Sequence, residues 1–279
     1  MIVVDAHQHF WRLSRGDYAW LTPGLGALYR DFEPAKLAPL LAQNHVDATV
    51  LVQAAATEAE TRFLFELAEK HAFVRGVVGW TDFTAPDTAR RIAALAAAGR
   101  GKLKGLRPMI QDIADPDWVR DSGLDAAFEA MVEHDLAFDA LVKPRHFPAL
   151  LARLQRHPRL RTVIDHGGKP DIANGEFDVW ASHLEKLAQE TGAYCKLSGL
   201  LTEAAADATV EQLAPYVEHV FACFGPERVL WGSDWPVLNL ASDYAGWLEQ
   251  ARLLVAWFAA GHEQPVFGAT AASFYRLDL

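Results

Sequence analysis

Cysteine is scarce: Cys195 and Cys223 are the only two in 279 residues, far apart and outside any CxxC pair. That excludes a disulfide framework and a thiolate metal site, and makes a reducing cytoplasm the expected compartment. Long apolar runs are missing too. No uninterrupted apolar segment approaches the length that spans a bilayer, and the N-terminus lacks the basic region and cleavage-like site of a signal peptide. Basic residues are in deficit, 26 Lys and Arg against 36 Asp and Glu, leaving a net charge of -10. This argues against nucleic acid or an anionic membrane as partner. No Pro/Gly/Ser-rich stretch or charge run divides the chain, so residues 1–279 are expected to form one domain. A protein acting on a small molecule fits this composition, with homo-oligomerisation left open.

What is present begins at the N-terminus. Ile2-Val3-Val4-Asp5-Ala6-His7-Gln8-His9 reads as a short buried strand running into two histidines spaced i, i+2. Side chains alternate along an extended segment, so His7 and His9 can converge on one ion or substrate atom. The spacing alone is equally compatible with two histidines hydrogen-bonded in a loop.

Seven further β-branched or aromatic runs follow, at residues 48–52, 74–79, 103–106, 136–140, 162–165, 194–197 and 229–231. Between them lie segments of helical period near 34–44, 58–71, 87–98, 124–133, 148–156, 176–190, 210–224 and 244–259. Pro34 and Pro148 suit first-turn positions, where a missing amide costs little. Strict β/α alternation implies a parallel sheet, and eight units imply a closed (β/α)8 TIM-type barrel, with a doubly wound open sheet as the alternative.

In such a barrel the site lies at the C-terminal ends of the strands. Those ends carry His7 and His9; Gln53; Trp80 and Asp82; Lys104 and Arg107; Lys143, Arg145 and His146; Asp165-His166-Gly167-Gly168-Lys169; Lys196-Leu197-Ser198-Gly199; and Trp231-Gly232-Ser233-Asp234-Trp235-Pro236. The basic residues Arg107, Lys169, Lys143 and Lys104 stand out in an acidic chain and suit an anionic or hydroxyl-rich ligand. Trp80 and Trp235 could stack on a sugar ring, and Gln53 could bind substrate. The competing readings are solvated rim charge for the lysines and packing for the tryptophans. Asp5 and Asp165 are read as supporting residues.

The motifs Val4-Asp5-Ala6-His7-Gln8-His9, Ile164-Asp165-His166-Gly167-Gly168-Lys169-Pro170, Lys196-Leu197-Ser198-Gly199 and Leu230-Trp231-Gly232-Ser233-Asp234-Trp235-Pro236 together resemble the amidohydrolase superfamily. They are most similar to its branch of sugar-lactone hydrolases, which includes L-fuconolactonase, L-rhamnonolactonase and 2-pyrone-4,6-dicarboxylate lactonase. The resemblance implies that His7, His9, His166 and Asp234 hold a divalent metal, zinc or manganese, and that the same four residues carry catalysis, Asp234 as general base. Many metal-dependent relatives place a further ligand on the fourth or fifth strand. Here strand five offers no histidine before His146, so the resemblance also allows a weak or dispensable metal. The implied function is hydrolysis of a sugar aldonolactone, such as L-fucono- or L-rhamnonolactone, to the hydroxy acid. Decarboxylation of a small aromatic acid and non-catalytic binding of sugar acids are the alternatives.

Overall fold

The computed structural model describes residues 2–206 and 208–279. Met1 and Asp207, within the span expected as one domain, lie outside the described residues. Eight strands form one parallel sheet in sequence order: β1 (Val4–Gln8), β2 (Ala48–Val52), β3 (Val74–Gly79), β4 (Leu103–Leu106), β5 (Ala137–Ala140), β6 (Thr162–Ile164), β7 (Tyr194–Leu197) and β8 (Val229–Trp231). The seam between β1 and β8 is joined by a parallel bridge between Gln8 and Trp235, with Asp234 N donating to His7 O at 2.8 Å and His9 N to Trp235 O at 2.7 Å. The sheet is therefore a nearly closed barrel, and the open-sheet alternative falls away.

The connecting helices are α1 (Pro34–Gln43), α2 (Glu58–Lys70), α3 (Thr88–Ala98), α4 (Asp125–Glu133), α5 (Phe147–Arg156), α6 (Asp178–Glu190), α7 (Val210–Phe224) and α8 (Tyr244–Phe258). Pro34 and Pro148 occupy the first turns of α1 and α5 as expected. Each helix turns its apolar stripe toward the sheet, so most of the core lies between sheet and helices. A second apolar cluster fills the barrel interior with Val4, Ala6, Val50, Val52, Val78, Ala137, Val163 and Leu230, and continues into Ala271, Phe274 and Tyr275. The last two belong to a C-terminal segment, α9 (Thr270–Phe274) and the residue after it, that closes the floor. Among the described residues, no helix is long and apolar enough to cross a membrane.

One local irregularity matters for the site. The register of β1 on β2 shifts between Asp5 and Gln8, and such a bulge re-aims the side chains around it. Asp5 and His7, which strict alternation would put on one face, separate. Asp5 accepts from Ser233 N (2.8 Å), Ser233 Oγ (2.6 Å) and Tyr244 Oη (3.0 Å), whereas His7 reaches the barrel mouth.

Candidate active site

Three residues of the mouth are held in left-handed backbone, His166 (φ 57°) and Lys169 (φ 52°) past β6 and Asp234 (φ 57°) just past β8. Outside glycine this conformation costs on the order of 1–3 kcal/mol and persists where surrounding bonds over-determine it. The amide of Asp234 on His7 O supplies one such bond, and Lys169 N donating to His166 O at 2.9 Å supplies another.

The side chains then converge. His9 Nε2 lies 3.2 Å from Asp234 Oδ1 and 3.2 Å from His7 Nε2, and His7 Nε2 is 3.6 Å from the same carboxylate oxygen. His9 Nδ1 can only donate to Val52 O, at 2.8 Å, which leaves the Nε2 lone pair free when the ring is neutral. His166 approaches Asp234 less closely, at 4.0 Å, and its Nδ1 pairs with Ser198 Oγ at 2.8 Å. Its ligand atoms group with His7 and Asp165, not with His9. With bonds of about 2.0–2.1 Å, the ligands of a tetrahedral zinc stand about 3.3 Å apart. The spacings of His7, His9 and Asp234 fit such an ion. Arg107 Nη1 stands 3.3 Å from His7 Nε2, so a guanidinium competes with a metal ion for that nitrogen.

Electrostatics define the ionisation states. Burial pushes the Asp234 carboxyl up, yet the neighbouring His166, His9 and His7 together hold it below the usual carboxylate range. Burial brings the His166 imidazole down to about 4, against the opposing pull of Asp234, so it is neutral at pH 7. Burial and then the Lys196 ammonium hold His7 well below its ordinary value. The mouth thus presents an ionised carboxylate beside the neutral imidazoles of His7 and His166.

Beneath it lies a buried ionic cluster. Lys196 Nζ donates to Asp139 Oδ2 at 2.6 Å and stands 2.9 Å from Asp165 Oδ1 and 3.1 Å from His7 Nδ1. Tyr275 Oη also donates to Asp139 Oδ2, at 2.6 Å. Burial raises Asp165, but Lys196, His7 and Arg107 outweigh it and hold this carboxyl well below its ordinary value.

Above the carboxylate opens a cavity of about 200 Å³ lined by His9, Arg107, His166, Lys169, Asp234, Trp20, Ala54, Met109, Gln111, Asp112, Leu141, Thr202 and Val237. Of the expected site residues, it brings together His9, His166, Asp234, Arg107 and Lys169, the last paired with Glu203. His7 sits behind them, fully buried. Gln53 donates to Arg107 O at 2.7 Å while its own carbonyl accepts from the guanidinium, so it supports Arg107 and does not line the cavity.

Four other expectations are corrected. Lys104 Nζ donates to Arg276 O at 2.9 Å in the C-terminal segment, at the floor end of the barrel, because it lies near the start of β4 and not at its end. Lys143 begins the turn before α5, where its amide donates to His146 Nδ1 at 3.0 Å, and stays off the cavity wall. Trp80 lines a neighbouring cavity of about 320 Å³. Trp235 is buried, edge-on to Phe10 and Phe32. The sequence alone missed Asp139 and Tyr275, and placed Lys196 at a strand end without assigning it a partner. A lysine and an aspartate inside otherwise apolar strands were the available signal, since burial of charge demands a partner. It also missed Trp20, whose position depends on the path of the long loop between β1 and α1.

Fold and site define a (β/α)8-barrel enzyme with a histidine–aspartate centre able to hold a metal ion. The chain belongs to the amidohydrolase family, whose model, described as "Amidohydrolase", matches residues 4–277. It is 47% identical to an L-fucono-1,5-lactonase of Burkholderia ambifaria over 279 residues, covering 99% of this chain and 96% of that one. With an L-fucono-1,5-lactonase of Burkholderia multivorans it shares 38% identity over 98% of this chain and 96% of the relative. A crystal structure of an amidohydrolase from Burkholderia multivorans with bound zinc superposes with a TM-score of 0.92 at 36% identity, each chain covered in full.

Proposed function

We propose that this protein hydrolyses a sugar aldonolactone, L-fucono-1,5-lactone being the first candidate, to its hydroxy acid. The observation that carries the reading is the ionised Asp234 at the base of a cavity sized for one small ring, surrounded by imidazoles and bordered by Arg107 and Lys169. Near-full-length similarity to two lactonases supports it.

Asp234 accepts a proton from the attacking water, and His9 and the neutral imidazole of His166 orient that water. Arg107, anchored by Gln53 and Asp165, directs its guanidinium at the lactone carbonyl, where negative charge develops. The proton returns from Asp234 to the ring oxygen as the ester bond breaks. Lys169 holds a substrate hydroxyl at the rim. His7, His9 and Asp234, with His166 beside them, would hold a zinc or manganese ion, which when bound supplies Lewis-acid polarisation of a carbonyl.

The test is acid release at constant pH from L-fucono-1,5-lactone, above the spontaneous rate. Asp234→Asn preserves shape and removes the base, so turnover should fall by about a hundredfold or more. Lack of acceleration across a panel of sugar lactones would overturn the function; near-normal turnover by folded Asp234→Asn would overturn the assignment of the base.

A further inference from the structure

The cavity has an apolar side that the hydrolytic step does not use. Trp20, from the long loop after β1, keeps 37% of its surface exposed and lines the cavity. Its indole orientation is fixed from two directions. Nε1 donates to Ala54 O at 2.7 Å, and the ring stands edge-on to Trp11, centroids 5.4 Å apart at 85°. Trp11 is itself buried, with Nε1 on Arg30 O at 2.8 Å and a backbone bridge to Phe32. Met109, after β4, also lines the cavity, and its Sδ receives the Gln53 amide at 3.2 Å. Val237 follows β8 and Leu141 follows β5, with no side-chain polar atoms of their own.

The polar atoms among these groups are therefore already committed: the indole N–H and the Ala54 carbonyl to each other, the thioether to Gln53. A substrate hydroxyl turned toward them would exchange its water partners for none, whereas a methyl or C–H edge would gain contact with an aromatic face. We propose that Trp20 is a specificity-determining residue: with Met109 it accepts an apolar edge of the lactone and selects a terminal methyl over a hydroxymethyl group. This rests on the lactonase reading and adds to it the feature of the sugar that is recognised. An apolar pocket rejects an added hydroxyl by up to about a hundredfold, which sets the scale of the effect.

The experiment compares L-fucono-1,5-lactone with L-galactono-1,5-lactone, which differ only by methyl against hydroxymethyl at the terminal carbon. In the intact protein kcat/KM should favour the methyl compound by about ten- to a hundredfold. Trp20→Phe, which keeps an apolar ring, should retain most of the preference. Trp20→Gln, which introduces a free amide, should bring the ratio below about threefold, chiefly by raising KM for the methyl compound, with a thermal melt beside the kinetics to fix the temperature at which the variant is folded. Equal kcat/KM for the two lactones in the intact protein would overturn the proposal and leave the lactonase reading standing. So would an undiminished ratio in Trp20→Gln. Turnover of neither lactone would overturn the proposal, and the lactonase reading would fall with it only if the wider panel of sugar lactones also showed no acceleration.

Discussion

Glu60 shows how a single side chain ties the mouth of this barrel to pH. It lies on α2, buried, and its carboxylate accepts from the amides of Ala54 (3.0 Å) and Ala55 (2.8 Å), the backbone that also anchors Trp20. Burial outweighs those bonds and raises its pKa from 4.5 to about 7. Below pH 4.5 folded and unfolded chains both carry the proton and the group is neutral in effect. Between 4.5 and 7 the unfolded chain releases it while the folded chain retains it, so stability falls as pH rises, by about 3 kcal/mol in all. Glu60→Gln removes this titration. Urea unfolding at several pH values should show the variant gaining on the parent protein from pH 4.5 to 7; parallel curves would show that Glu60 titrates alike in both states.

At the scale of the element, the turn after β7 tolerates little change. Gly199 has φ 63°, and a Cβ placed there would lie 2.4 Å from His166 Nδ1 and 2.6 Å from its Cγ. Gly199→Ala must therefore displace the imidazole, in addition to about 1–2 kcal/mol for left-handed backbone on a residue with a side chain. Since His166 faces the substrate cavity, kcat should fall at least about tenfold, well beyond what the loss of stability explains at a temperature where the variant is folded. Steady-state kinetics beside a thermal melt checks this. The close approach is a product of two neighbouring strand ends, β6 and β7, and neither turn read alone announces it.

At the scale of the whole molecule, the barrel is closed from below by its own C-terminus. Phe274 is buried with its ring 4.8 Å from those of Tyr194 and Tyr275, and Tyr275 carries a hydrogen bond up to Asp139 under the site. Phe274→Ala should cost about 3–5 kcal/mol, the usual range for truncating a buried aromatic ring. Denaturant unfolding measures it, and a loss below 1 kcal/mol would show that the floor does not depend on this ring.

The sequence by itself determined the order of the elements, the eight-fold β/α alternation and the presence of His9, His166, Asp234, Arg107 and Lys169 at strand ends. Hydrophobic period, turn residues and strand-end position are local properties that survive without tertiary contacts. Only the tertiary structure decided which basic residues face the cavity. Lys104 sits one residue pair too early on β4 and joins the floor, while Lys196, at the head of its motif, becomes the cation under His7. It also decided that Asp5 braces Ser233 while His7 enters the mouth, because a bulge between Asp5 and Gln8 breaks the alternation the residues suggest. Trp20 is anchored at the cavity by Ala54, from a different strand end, which accepts its N–H. Such placements depend on bonds between residues dozens to hundreds of positions apart, and a periodicity of two or of 3.6 residues holds no record of them.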